Sequence, residues 1–199
     1  MILKFLPFLF VFLVSLPAVG AENTPVSVVE GFHKDLLTVM KAADKLGVKG
    51  RYQYLAPRLA KAFDMSRMIR IATGSFWKKA DPNQQKQLLD AFTQMSASTY
   101  ASQFDGYSGE AFKTLGAKPG PRGTMMVATQ ILRPNDSPVD ITYVVKESGG
   151  RWRIVDVLLD NSVSELAVRR SEYRQMLRSR GMKGLIDLLN SKASSLTTG

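Results

Sequence analysis

Residues 152–174, WRIVDVLLDNSVSELAVRRSEYR, constrain this chain more than any other segment, because an apolar strand-like run passes there through a polar corner into a basic helix. As a regular strand, the run puts Trp152, Ile154, Asp156 and Leu158 on one face and Arg153, Val155, Val157 and Leu159 on the other. Each face then carries three apolar side chains and one charge. A sheet apolar on both faces must be covered twice, or covered once and wrapped around something apolar. Asp160, Asn161 and Ser162 supply turn and helix-start chemistry, since their short side chains accept bonds from free backbone N–H groups. The helix that follows carries Arg169, Arg170, Arg174, Arg178 and Arg180.

The start of the chain decides where such a sheet has to work. Residues 1–21 combine an early Lys4, an apolar run over 5–14 and the small residues Val19 and Ala21, which predicts a signal peptide cleaved after Ala21. The run is shorter than the about 20 residues that span a bilayer. The mature chain is expected outside the cytoplasm. It contains no cysteine, so neither a disulfide nor a lipid-modified thiol holds it, and one apolar core must stabilise it. The formal charge is +10. Export removes nucleic acid as the expected partner, leaving anionic head groups or an acidic protein surface.

Helices come first along the chain. Ser27 and Glu30 read as a capping box for a first helix striped by Phe32, Leu36, Val39, Met40 and Ala43 and ended by Gly47 and Gly50. A second helical stretch covers 52–63, with Pro57 restricting where it begins. Asp64 is the expected cap of a third helix containing Met65, Met68, Ile69 and Ala72, closed by Gly74. Asp81, Pro82 and Gln84 form the clearest helix start: a capping carboxylate, a proline at the first helical position and a glutamine three residues after the cap. That helix runs to about Phe104 on a stripe of Leu88, Leu89, Phe92, Met95, Thr99 and Tyr100. Its last turns hold Ser96, Ala97, Ser98, Ala101 and Ser102, side chains thin enough to admit another element or to leave space.

The period then changes to two. Residues 104–115 suggest an irregular first strand, 116–123 a loop, and 124–132 and 139–146 two strands joined by a turn over 133–138. With the strand opening at Trp152 this makes an antiparallel meander of about four strands. Gly181 breaks the basic helix, Leu185, Ile186, Leu188 and Leu189 form a last short one, and 191–199 is a polar tail. The fold class is α+β, one domain over 22–199, with helices, then sheet, then helices.

Catalytic and metal-binding chemistry is sparse. His33 is the one histidine and suits a surface or cap role; zinc, copper and calcium patterns and phosphate-cradling glycines are absent from the sequence. No cofactor, metal or catalytic set is expected, and the chain reads as a non-enzyme. A rival reading makes Asp156 the general base of a small cone-shaped α+β enzyme, against a structural hydrogen-bonding role. What the sequence offers in excess is apolar strand surface: Met125, Val127 and Ile131 against Met126, Ala128 and Leu132, then Val139, Ile141, Tyr143 and Val145. Methionines are unbranched and adaptable, suited to a wall that closes over a variable apolar guest. Ordinary core and a ligand pocket both satisfy this pattern, and a ligand-free interaction module with a solid core is a further alternative.

Residues 63–104, FDMSRMIRIATGSFWKKADPNQQKQLLDAFTQMSASTYASQF, resemble the MlaC or toluene-tolerance family of periplasmic lipid-binding proteins. The resemblance lies in Phe63-Asp64 opening the third helix, a glycine followed by an aromatic pair, the polar glutamine-rich helix start, and a Phe then Tyr-Ala spacing. It continues through Trp152, Asp156, Val163-Ser164, and a helix ending at Gly181 before Leu185-Ile186. The segment from Val155 to Arg174 looks closer to the hopanoid-associated branch, HpnM. Where the family often has Gly-Val-Ser at the corner, this chain has Ser162-Val163-Ser164. The resemblance implies a curved antiparallel sheet packed by N- and C-terminal helices around an apolar cavity. It implies a monomeric carrier that takes a phospholipid or hopanoid between inner and outer membranes, serving an ABC-type inner-membrane transport complex and an outer-membrane lipid-handling complex. The expected cavity lining is Met65, Met68, Ile69, Phe92, Met95, Tyr100, Val127, Ile131, Ile141, Tyr143, Val145, Val155 and Val157. Arg169, Arg170 and Arg174 are expected near head groups or at a partner surface.

Overall fold

The computed structural model describes residues 23–198; the signal peptide expected over 1–21 lies outside the described residues. Helix α1 (Pro25–Lys41) starts three residues before its predicted capping box. The Ser27 backbone N–H donates to Thr24 Oγ1 (3.1 Å) and the Thr24 N–H donates to Ser27 Oγ (2.8 Å). Pro25 explains the difference, since a proline at the first helical position gives up no helical N–H and presets φ, so the turn closes ahead of Glu30. Helix α2 (Ala43–Ala62) is kinked at Gly47, whose φ of 58° and ψ of 178° suit only glycine, whereas Gly50 lies inside the helix rather than ending the previous one.

Helix α3 (Met65–Thr73) begins where predicted, with Asp64 Oδ1 accepting from the Arg67 N–H at 3.0 Å, and Gly74 ends it. A short α4 (Ser75–Lys79) carries Phe76 and Trp77. Helix α5 (Pro82–Gln103) has the predicted reciprocal cap: the Gln84 N–H donates to Asp81 Oδ1 (2.9 Å) and the Asp81 N–H donates to Gln84 Oε1 (3.3 Å). Asp81→Ala is expected to cost about 1 kcal/mol, the usual effect of losing such a cap, read from the urea midpoint of unfolding.

The sheet is an antiparallel meander ordered β1-β2-β3-β4-β5. Its strands are β1 (Ala111–Gly120), β2 (Thr124–Arg133), β3 (Asp136–Ser148), β4 (Arg151–Leu159) and the two-residue β5 (Val163–Ser164). Strand β1 takes in much of the predicted 116–123 loop. Its ladder shifts between Thr114 and Gly116, a bulge where glycine adopts φ 152°, and Pro119 is tolerated because β1 is an edge strand. Helix α6 (Glu165–Thr197) completes the chain and is broken at Gly181 (φ 65°) as predicted.

A second bulge corrects the two-faced strand expected from Trp152 onward. Val144 pairs with Asp156 but Val145 pairs with Ile154, so Val155 is an extra residue in β4. One inserted residue flips every side chain beyond it to the other face. Ile154 and Val157 therefore both stand on the face of their partners Val145 and Tyr143, while Asp156 and Leu158 stand on the opposite face with Val144 and Thr142.

The corner after β4 explains how serine replaces glycine at position 162. Asp160 (φ 48°) and Asn161 (φ 56°) take the left-handed conformation, which short polar side chains tolerate, and Ser162 does not need it. The Ser162 N–H closes the turn on Leu159 O at 3.1 Å, and Asn161 Oδ1 accepts from Thr142 Oγ1 at 2.6 Å.

Helix α1 lies across the inner face of the sheet, α5 packs on α6 and α2, and α3 packs between α6, α5 and β4. The turn into α3 is latched to the sheet: Phe63 bridges to Ile154, and the Asp64 N–H donates to Ile154 O at 2.9 Å. The core under these layers includes Phe32, Leu36, Leu55, Leu59, Ile69, Leu88, Phe92, Val127, Val145 and Ile154, all essentially inaccessible to water.

Candidate functional site

A wedge-shaped cleft of about 300 Å³ separates the β2–β4 end of the sheet from the helices. Ile131, Val139, Ile141, Tyr143, Val157 and Leu159 form the sheet wall, and Phe63, Met65, Met68, Ser96, Thr99, Tyr100, Gln103 and Phe104 form the helical wall. Glu165 and Arg169, from the first turns of α6, close one end. The thin turns of α5 create the space: at Ser96 and Thr99 the helix presents small side chains to the sheet where Leu or Phe at the same positions would fill the gap. Larger clefts exist, among them one of about 500 Å³ lined by Tyr52, Leu89, Asp90 and Gln94 and one of about 530 Å³ beside Asn23 and Arg151, but both are more open and more polar.

An aromatic cluster sets the floor. Phe32 meets Phe63 and Tyr100 edge-on at 5.0 and 5.2 Å between ring centroids, and Tyr100 stacks on Phe104 at 5.8 Å. Such pairs add about 0.5–1.5 kcal/mol each beyond the area they bury, so this end of the cleft is stiff. Met65 and Met68, by contrast, are flexible and polarisable walls. Beside the floor, His33 is buried, not at the surface as its sequence position suggests: it stacks on Phe112 at 4.2 Å and is hydrogen-bonded through Nε2 to Tyr143 Oη at 3.1 Å. Burial lowers its pKa to about 4. Burial also raises the Tyr100 and Tyr143 phenols above their ordinary range, so both present neutral O–H groups.

Of the residues expected to line a cavity, Met65, Met68, Tyr100, Ile131, Ile141, Tyr143 and Val157 converge on this cleft. Met95 lies just behind it, with its Sδ 3.4 Å from Thr99 Oγ1 and 3.6 Å from Arg169 Nη1. Ile69, Phe92, Val127 and Val145 are core. Val155, carried across by the β4 bulge, lines a different cleft of about 420 Å³ with Val144, Ile71, Arg67, Arg122, Lys146 and Arg170. The three arginines part in the same way: Arg169 enters the wedge, Arg170 faces the second cleft, and Arg174 is exposed with a guanidinium nitrogen beside Gly74.

Asp156 sits at the sheet–helix corner as a hydrogen-bond hub. Its Oδ1 accepts from the Val157 N–H (2.8 Å) and the Leu166 N–H (3.0 Å), and its Oδ2 accepts from Ser164 Oγ (2.5 Å). Ser164 Oγ in turn caps α6 by accepting from the Ala167 N–H at 2.9 Å. The carboxylate is thus fully engaged in holding β4, β5 and α6 together. Among the described residues no group of three or more His, Asp or Glu side chains is placed to hold a metal ion, and no helix is long and apolar enough to cross a membrane.

The family model described as MlaC protein matches residues 30–191. The chain belongs to the MlaC family. A solved structure described as the phospholipid-binding protein from Ralstonia solanacearum in complex with a phospholipid shares the fold, with a TM-score of 0.75 over 86% of this chain and 98% of that one, at 21% identity. The fold of this MlaC-family chain is therefore α+β with an open antiparallel sheet. Phe63, Ser96, Thr99, Gln103, Phe104, Val139, Leu159 and Glu165 also line the cleft, outside the expected set. Val139 and Leu159 follow from simple two-residue alternation with Ile141 and Val157, and Glu165 from lying one helical turn before Arg169.

Proposed function

We propose that this protein is a periplasmic lipid carrier. It holds the acyl portion of a phospholipid in the wedge between sheet and helices, and as a monomer shuttles it between the inner and outer membranes. An ABC-type transport complex serves it on one side and an outer-membrane lipid-handling complex on the other. It carries its ligand unchanged and needs no metal or cofactor. The observation behind this reading is a partly open, mostly apolar cleft with one polar end in a chain of the MlaC family; a fold neighbour whose description names a bound phospholipid supports it.

Enclosure is what such a task demands. Each methylene kept from water is worth about 0.8 kcal/mol, so an uncovered two-chain lipid has no useful passage through an aqueous space. At about 300 Å³ the cleft equals roughly ten water volumes, enough for a short stretch of one chain. Longer or paired chains require α3 to move off the sheet, and the Met65 and Met68 side chains can re-pack as it does so.

The test is mass spectrometry of gently purified protein, with a cleft-filling variant as control. Wild type is expected to retain about one phospholipid per chain. Thr99→Trp, which puts an indole into the thin part of α5, is expected to reduce retention at least tenfold (about 1.4 kcal/mol) while the protein stays folded. Lipid-free wild type that takes up none from vesicles refutes the carrier reading. Full retention by Thr99→Trp moves the site elsewhere, and a hopanoid in the spectrum reassigns the cargo within the same cleft.

A further inference from the structure

Arg169 is charged, part-buried at the polar end of the cleft, and poorly matched by its own protein. A guanidinium offers five N–H donors. Those of Arg169 find the Tyr173 hydroxyl at 3.4 Å and the Met95 thioether at 3.6 Å, both long and neither anionic. No carboxylate among the described residues lies within ion-pair distance of it; Asp35, Asp64 and Asp136 are taken by Arg58, Arg67 and Arg133. Glu165, one turn earlier, acts on Arg169 only at longer range.

Arg51 is buried in the helical core, yet its Nε donates to Ala101 O at 2.8 Å and its Nη1 to Ala43 O at 3.2 Å, so backbone carbonyls satisfy it. Arg51 needs nothing from outside. Arg169 faces a cavity, and withdrawing a cation from water without an anionic partner is costly. The flat donor fork it presents fits the two oxygens of a phosphate or carboxylate.

We propose that Arg169 is the anion anchor of the cleft, pairing with a phosphate or carboxylate oxyanion at the head of an acyl chain whose hydrocarbon lies along Met65, Met68, Ile141 and Val157. This rests on the lipid-carrier reading and sharpens it. The cleft selects amphiphiles by the charge of their head group, with the charged group drawn inside to Arg169. The Tyr100 hydroxyl, held neutral by burial, lines the same cleft as a further donor.

The experiment compares dodecyl phosphate, dodecanoate and dodecanol, three probes with one hydrocarbon chain and different heads, by titration calorimetry on delipidated protein at pH 7. Wild type is expected to bind the two anions at least tenfold more tightly than the alcohol. Arg169→Gln is expected to bring all three within about twofold by weakening the two anions, and Arg169→Lys to restore part of the preference. Phosphate favoured over carboxylate assigns the anchor to a lipid head group, and the reverse assigns it to a free fatty acid; both support it.

Thermal melting separates anchoring from architecture. Arg169→Met is expected to leave the melting temperature of the ligand-free protein within a few degrees of wild type, whereas a purely structural arginine would lower it. Equal binding of all three probes by wild type, an anion preference that survives Arg169→Gln, or a melting temperature for Arg169→Met lowered by more than that overturns the anchor. Binding of dodecanol alone leaves the carrier reading standing without the anchor, and binding of none of the three removes both.

Discussion

Replacing Asp156 by alanine is expected to destabilise the fold by about 4 kcal/mol, because it orphans two backbone N–H groups and a hydroxyl at once, each worth roughly 1–3 kcal/mol when a charged acceptor is withdrawn. The carboxylate joins three consecutive elements through the Val157 and Leu166 N–H groups and Ser164 Oγ. Without it, Ser164 loses the contact that orients its own cap on Ala167, so the first turn of α6 frays. That turn carries Glu165 and Arg169 into the cleft, and the stability loss is therefore expected to bring weaker lipid retention with it. In a domain of this size the melting temperature should drop by roughly 10 °C. Asp156→Asn keeps one acceptor oxygen for the two N–H groups, and the serine hydroxyl can turn to accept from the new amide; its expected cost is about 1–2 kcal/mol. A graded series, Asp above Asn above Ala, in both urea midpoint and lipid retention is the signature of a structural hub. Asp156→Ala within 1 kcal/mol of wild type would contradict it.

Local chemistry made much of the helical layer legible. Asp81-Pro82-Gln84 and the Asp64 cap announce α5 and α3 because every group involved lies within four residues. The sequence pattern misplaces the start of α1: Pro25 settles it at Thr24, although Ser27 and Glu30 have the spacing of a capping box. The β4 bulge was not legible. Val155 is a β-branched residue in an apolar run, with no glycine to mark an irregularity, and the shift arises from pairing with Val144 and Val145 of β3, beyond the reach of local pattern. It moves Val155 to another cleft and puts Ile154 and Val157 on one face.

The cleft was legible in part for the same reason. Its methionines, tyrosines and strand residues, Val139 and Leu159 among them, lie on apolar stripes, whereas Glu165 joins it only through the sheet–helix corner. Ser162 shows the converse: a departure from the family pattern that costs nothing, because Asp160 and Asn161 take the left-handed positions.

Acidification is expected to weaken the protein through His33 by about 3 kcal/mol in total, with the loss concentrated between pH 6.5 and 4. His33 sits between α1 and the sheet, stacked on Phe112 and bonded to Tyr143, with no carboxylate among the described residues in contact to favour its charged form. Its native pKa is lowered to about 4 by burial, against 6.5 in the unfolded chain. The unfolded chain therefore takes up a proton as the pH falls through 6.5, while the native protein holds none until near 4. Over that window the unfolded state binds more protons, so stability falls as pH falls; above about 7 the residue contributes no pH dependence, and below 4 the loss is complete. Carboxylates titrate in the lower part of the same window, so the measurement is a difference. Urea unfolding free energies at pH 7.5, 6.0, 5.0 and 4.2 are compared between wild type and His33→Gln, whose amide can keep the bond to Tyr143 but carries no proton to gain. The two curves should diverge steadily, with wild type losing more, and parallel curves would show that His33 does not carry the effect. Because Tyr143 also lines the cleft, the bond strained by acid is one that holds α1 against the cavity wall. Lipid retention should then decline over the same pH range in wild type and less steeply in His33→Gln.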